Sequence, residues 1–319
     1  MSSVRRTSVS LLLACAVGLV ACTSQEEPSE NGQDDQAFLK VRTTAISQAS
    51  RSLTAVTGQS LAVDAVIGIT LKGADTPADY AYSNVPYTLE SIEMTETSAT
   101  EQWTTPSDII LRRPKATLTA YYPYNEQTDP YAVNINGMDG IDWLYCPWTT
   151  EVISARWPDV TLTMHHAQAI LRVELRREGY AGEGKLKFIK IASTALAMQG
   201  VFNTSTGSYT TTSGTSLIDQ QYAEGEELQL PADPNVICSD EWFFLPVALS
   251  SSEDVDITFT VKVDKRSLET TTTISPSAFQ CGRIHLFPLK VMNSELEVSP
   301  VTIIPWETQD DSHNMKPTN

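Results

Sequence analysis

The sequence is poor in basic residues, cysteine and histidine, and it has no long apolar run. Lysine and arginine number 22 against 39 aspartates and glutamates, a formal net charge of -17. A surface of that sign repels phosphate backbones, which argues against a nucleic-acid partner. The four histidines include one adjacent pair, His165 and His166, whose side chains point to opposite faces of a strand and cannot chelate one metal together. None of the five cysteines forms a Cys-x-x-Cys pair or a Cys/His cluster, so no zinc site, and no other metal or cofactor, is expected. No serine sits in a Gly-x-Ser-x-Gly elbow, and no catalytic residue is assigned. The longest apolar run, residues 9–20, is broken by Ser10 and Gly18. It is short of the roughly 20 residues that cross a bilayer as a helix.

That run fits a secretory leader. Arg5 and Arg6 precede it, and it closes with Leu19-Val20-Ala21-Cys22, which resembles the lipobox of bacterial lipoproteins. Residues 1–21 are therefore expected to be removed and Cys22 to become the lipidated first residue. The remaining chain keeps 20 basic against 39 acidic residues, a net charge of -19. Residues 23–36 contain no large apolar side chain and five acids, the composition of a disordered tether. Its coil dimension is roughly 20 Å. Acids directly after the lipidated cysteine also resemble a surface-export signal. Beside Cys22, the mature chain holds Cys146, Cys238 and Cys281, of which at most one pair can bridge.

The rest reads as strands separated by turns. Its centre is residues 160–175, where Val160, Leu162 and Met164 alternate with threonines, and Leu171, Val173 and Leu175 alternate with Arg172 and Glu174. A period of two marks a strand with one buried face. The two alternations are out of phase, so residues 165–170 must hold a bulge or bend. Other strands are expected at residues 37–43, 63–71, 108–112, 116–124, 185–191, 241–247, 255–263, 284–291 and 296–304, and apolar residues on both faces of 185–191 (Leu186 and Phe188 against Ile189 and Ile191) suggest that this strand is buried on both sides. Residues 82–87 are expected to turn into a further strand, 134–142 to form a Gly/Asn/Asp loop, 179–184 a hairpin turn, and 200–207 a turn-rich hairpin. No 3.6-period segment and no internal repeat of about 20–50 residues competes. The expected fold is all-β, with two sandwich domains at residues 37–159 and 160–306 and a polar tail at 307–319.

Three local patterns suggest chemistry. Gly179 to Lys185 nearly spells a phosphate loop, but Leu186 stands where a magnesium-binding Ser or Thr is needed. Asn134, Asn136, Asp139 and Asp142 could surround calcium, although Met138 and Tyr145 break the EF-hand spacing and a solvated loop suffices. Trp143, Trp148 and Trp157, with Tyr145, could form a glycan-stacking platform or could be packing residues.

Several segments, in order, resemble the fimbrillin-like lipoproteins of Bacteroides type V pili. They are Ile67-Gly68-Ile69, Tyr82-Ser83-Asn84, Leu118-Thr119-Ala120-Tyr121-Tyr122-Pro123-Tyr124, Asp142-Trp143-Leu144-Tyr145, Leu162 to Ala169, Gly200-Val201-Phe202-Asn203, and Val298 to Trp306. The resemblance implies two transthyretin-like sandwiches in a lipidated, surface-exposed outer-membrane subunit of a fimbrium, with adhesion as a contributing role. It implies proteolysis after an arginine beyond the first strand, matched here by Arg51 and second by Arg42. The vacated slot would then take an extended segment of another subunit by β-augmentation. The donor would be the last strand, with Val298, Val301, Ile303 and Trp306 as its inserting residues. The resemblance leaves a shaft, tip or anchor position open. The alternative is a monomeric surface lipoprotein that captures glycan or host protein through its tryptophans.

Overall fold

In the computed structural model the described residues are 36–45, 61–94, 99–126, 129–193, 196–211, 216–246, 254–275 and 279–306. Residues 1–21, expected to form a leader, Cys22, Arg51 and residues 307–319 lie outside them. The described elements are strands apart from two single-turn 3₁₀ helices, Pro77–Asp79 and Gly137–Asp139. The fold is all-β.

Two large hydrophobic cores follow one another along the chain. The first draws on residues from Leu39 to Met164 and the second on residues from Ala169 to Leu296. Around the first core lies a seven-stranded sheet in the order Lys40–Ala45, Asp159–His166, Leu144–Cys146, Ala116–Tyr122, Val66–Gly73, Tyr82–Met94, Ala99–Thr104. Ala37–Phe38 pairs separately with Ile110–Leu111. The second core lies between two sheets. One runs Cys238–Phe244, Ala169–Arg177, Arg283–Val291, with Leu296–Val298 and Thr302–Pro305 both on the last of these. The other runs Ser216–Gln221, Lys185–Ala192, Val255–Val263, Arg266–Ile274, with Leu228–Gln229 also on Lys185–Ala192.

The stretch at residues 160–175 is where the chain changes core. Val160, Leu162 and Met164 point into the first core and Leu171, Val173 and Leu175 into the second. The expected break lies at Ala167 and Gln168, between Asp159–His166 and Ala169–Arg177. Asp159–His166 hydrogen-bonds within the first sheet, so the change of core comes after it rather than at residue 160. A smaller cluster at the junction combines Tyr121, Val133, Ile135 and Trp143 with Ala167, Phe202 and Leu245. There the Gln199–Asn203 and Ser208–Thr211 hairpin pairs onto Val133–Asn136. Gly137 follows immediately, and a Cβ on it would run into the Phe243 carbonyl.

Strand periodicity explains most of these elements. Val255–Val263 buries Val255, Ile257, Phe259, Val261 and Val263 and turns its polar residues outward. On that outer face Thr258 meets Thr271 at 3.0 Å and Thr273 donates to Asp256 at 2.7 Å, cross-strand pairs that reinforce the ladder.

Four expectations are corrected. Tyr82–Met94 is one continuous strand through Pro86, not a turn leading into one, because a register shift at Ile69/Leu71 and a left-handed Asn84 absorb the irregularity. Residues 134–136 of the expected Gly/Asn/Asp loop belong to the strand Val133–Asn136, since Val133 and Ile135 insert into the junction cluster. Residues 179–184 are not a hairpin turn; they carry the chain from Ala169–Arg177 in one sheet to Lys185–Ala192 in the facing one. Lys185–Ala192 is not buried on both faces. A bulge between Leu186 and Phe188 shifts the phase, so that Leu186, Ile189 and Ile191 all face inward.

Candidate functional site: two edge ribbons

The first and last described segments both lie on sheet rims. At the N-terminus, Lys40–Ala45 runs parallel to Asp159–His166, from Lys40 opposite Asp159 to Ala45 opposite Met164. It is the end strand of its sheet. Leu39 and Val41 insert into the first core, and Thr43 is buried on the same side. Phe38, Lys40 and Arg42 face outward. The free side of the ribbon is closed by a side chain. The Glu101 carboxylate accepts the Thr43 amide at 2.7 Å, the Thr43 hydroxyl at 3.0 Å and the Trp103 indole N–H at 2.9 Å. Glu101 lies on Ala99–Thr104, the opposite end strand of the same sheet, so this contact brings the two rims together. Nothing in the sequence links Thr43 to a carboxylate 58 residues away.

Arg42 has an exposed side chain, but its backbone is in the ladder opposite Thr161. A protease must bind its substrate as an extended, unpaired chain, so cleavage there would first require the ribbon to peel away. Arg51 falls outside the described residues.

The C-terminal ribbon is two strands rather than one. Leu296–Val298 and Thr302–Pro305 pair antiparallel with the two ends of Arg283–Val291. Ser299, Pro300 and Val301 break the ladder, although the Ser299 amide still reaches the Pro288 carbonyl at 2.9 Å. The break resets the alternation. Val298 and Val301 pack against the second core. Ile303, an expected inserting residue, is instead 40% exposed, and Ile304 takes the inward position. Trp306 is buried. Its ring stacks on His166 at 4.0 Å and 13° and on Phe243 at 5.3 Å, and its amide donates to Gly282 O at 3.0 Å. His166 is held from its other side by Asp142, Nδ1 to Oδ1 2.9 Å. Trp306, the last described residue, therefore wedges against the point where the chain changes core.

The other candidate chemistry is used structurally. Arg177 fills the near-phosphate loop and donates to the carbonyls of Glu183, Tyr180, Gly182 and Leu230. Carbonyls directed at a cation present the opposite polarity to a phosphate cradle. The Gly184 and Lys185 amides are taken by Asp264 at 3.1 and 3.0 Å. In the Asn/Asp segment, Asn136 accepts from the Met138 amide and donates to Asp139, while Asp142 holds His166. No group of three or more His, Cys, Asp or Glu side chains able to hold a metal occurs among the described residues.

The tryptophans do not assemble into a platform. Trp143 is buried at the junction and stacks on Tyr121, Trp148 lies against Tyr131 with the Lys72 ammonium 3.8 Å from its ring centre, and Trp157 is exposed beside Arg156. Cys146, Cys238 and Cys281 are unpaired thiols. Burial pushes the first two up to about 11. His165 and His166 face opposite ways as expected, and burial, with His166 adjacent, lowers the His165 pKa from its ordinary 6.5.

The described chain forms successive β-cores with its first and last described strands on sheet rims, and comparison identifies the family. The chain belongs to the fimbrillin-like family, whose profile matches residues 54–306. The match ends on Trp306 and leaves the N-terminal ribbon outside. Among solved structures, it is similar to a candidate cell adhesion protein from Bacteroides uniformis ATCC 8492. That pair has TM-score 0.57 and 19% identity, covering 86% of this chain and 100% of the other. A candidate cell adhesion protein from Bacteroides ovatus ATCC 8483 aligns with TM-score 0.54 and 16% identity, covering 86% and 99%. At these identities the likeness concerns the fold. No curated protein sequence matches the chain.

Proposed function

We propose that this chain is a non-enzymatic component of a surface fimbrium, anchored to the outer membrane through lipid on Cys22. It would assemble with other subunits by exchange of an edge strand. The observation that carries this reading is the N-terminal ribbon, whose Lys40–Ala45 is the end strand of its sheet and whose Leu39 and Val41 fill slots in the first core. An extended segment with apolar residues at alternate positions could make the same ladder and fill the same slots. Cleavage after Arg51 would release residues 52–319 from the lipid and vacate the rim. Arg42 is the poorer processing site because it lies inside the ladder. Division into two tandem sandwich domains is part of the same proposal, with the successive cores as its support. The docked C-terminal ribbon, wedged by Trp306, supports a terminal position in the fibre rather than a place in the shaft.

Arginine-specific proteolysis of detergent-extracted protein tests the scheme. The intact chain should partition into the detergent phase, and the cleaved chain into the aqueous phase, with Ser52 as its new N-terminus. The cleaved protein should then form SDS-resistant multimers with its partner subunits. A chain that keeps its anchor and stays monomeric under the same treatment would instead be a simple surface receptor.

A further inference from the structure

The inward side of the N-terminal ribbon meets two kinds of surface. Leu39 and Val41 fill apolar slots of the first core, and Thr43, two residues on, meets a carboxylate. Glu101 Oε2 accepts the Thr43 amide at 2.7 Å and the Trp103 indole N–H at 2.9 Å. The Thr43 hydroxyl donates to Oε1 at 3.0 Å and lies 3.1 Å from Oε2. Thr43 is buried and Glu101 half-buried. An apolar slot accepts several side chains of similar volume, whereas a site built to bond a hydroxyl rejects the isostere that lacks it. Every residue except proline brings the backbone amide, so that bond alone reads little sequence. Among side chains of this size only serine and threonine bring the hydroxyl. Valine matches threonine in shape but leaves the carboxylate one donor short.

We infer that Glu101 selects the segment that takes the ribbon's place, an extended strand of a different protein with the pattern apolar–x–apolar–x–Ser/Thr. The inference rests on the proposed exchange of the N-terminal ribbon. The incoming strand runs in the ribbon's own direction, which keeps the parallel ladder on Asp159–His166. The same requirement counts against a second copy of this chain as donor, because a proline breaks each register of its C-terminal segment. Leu296/Val298 and Val301/Ile303 bring Pro300 and Pro305 to the position of Thr43, with neither amide nor hydroxyl for Glu101. Val298/Pro300 brings Thr302 there, but the ring in the Val41 slot holds φ near −65° where a parallel strand takes about −120°. Ile304/Trp306 puts an indole in that slot and Pro305 at the position of Lys40, whose amide donates to Pro158 O at 2.9 Å.

The test uses the chain from residue 22 onward with Cys22→Ala and a site for a sequence-specific protease inserted after Ser50. Cutting there severs the ribbon, removes nothing and does not depend on Arg51. Fluorescent peptides of residues 36–46 compete with the severed ribbon, read by anisotropy. The parental peptide should displace it, and Thr43→Ser should match within about threefold. Thr43→Val should bind about fivefold more weakly and Thr43→Pro about a hundredfold. A peptide of residues 294–308 should not displace the ribbon. In a Glu101→Ala chain the gap between the parental and Thr43→Val peptides should fall below about twofold, while Leu39→Ala in the peptide still weakens binding. Should that chain not fold, Glu101→Gln, whose neutral carbonyl is the weaker acceptor, should narrow the gap. Equal binding of the parental and Thr43→Val peptides, or a gap that survives both changes at Glu101, would overturn the inference and leave ribbon exchange standing. Displacement by residues 294–308 would overturn it by admitting a second copy. Failure of the parental peptide to displace the ribbon would sink the exchange reading and the inference together.

Discussion

Both terminal ribbons lie on the rim of a sheet, and they are held there by different means. The N-terminal ribbon has a continuous parallel ladder from Lys40 to Ala45, two aliphatic side chains in the core and the Thr43–Glu101 clasp. The C-terminal ribbon has an interrupted antiparallel ladder, and its end is secured by Trp306 between His166 and Phe243. A ladder and two aliphatic residues can be supplied by many extended segments. A stacked indole at the chain's change of core cannot be reproduced by alternating apolar residues alone. Under the proposed exchange scheme, this contrast makes the N-terminal ribbon the one to be replaced and the C-terminal ribbon the one to be kept.

The largest effect that would test this contrast is at Trp306. Trp306→Ala should cost about 3–5 kcal/mol in a urea titration, with faster amide exchange across residues 302–305. A variant as stable as the parent would mean that the C-terminal ribbon is held by its ladder, and the contrast would be lost. Leu39→Ala should cost about 2–3 kcal/mol, less than a fully enclosed leucine because the site is at a rim. Its added exchange should be confined to residues 40–45. Thr43→Val removes a hydroxyl from Glu101 but leaves the amide bond, and should cost about 1 kcal/mol. If it costs nothing, the clasp contributes no hold on the ribbon.

The smallest expected effect is a pH slope. His165 has a lowered pKa when folded, so the unfolded chain binds its proton more readily. The stability it contributes is complete above about 6.5 and falls as pH drops through that value. His165 lies on the strand that carries the N-terminal ribbon, so acidification should loosen residues 40–45 before residues 302–305. Unfolding midpoints measured across this range should show a shallower slope for His165→Gln.

Much of the fold was legible because a strand's two-residue period is a local property. Val255–Val263 and Ala116–Tyr122 could be recognised from their own residues, and the phase change at Ala167–Gln168 followed from two alternations that could not belong to one strand. The bulge at Leu186/Phe188 was harder to see, because an extra residue in a strand looks like burial on both faces until its partner is known. Residues 133–136 were hidden by their asparagines, which favour loops locally but here are outvoted by Val133 and Ile135 in the junction cluster. In the candidate site, the inward Leu39 and Val41 were legible from alternation. Ile303 was not, because the break at Ser299–Val301 resets the phase, and a proline marks a break without stating how the chain resumes.

The sequence by itself determined the all-β class, the acidic charge, the break in alternation within residues 165–170 and the apolar face of the N-terminal ribbon, because these depend on residues close together along the chain. Tertiary structure alone decided which rim each ribbon occupies, that Glu101 closes on Thr43, and that Trp306 stacks on His166. Each of those contacts joins residues far apart in the chain, and pairing at such range is settled by how whole sheets curve and pack rather than by any pattern within a strand.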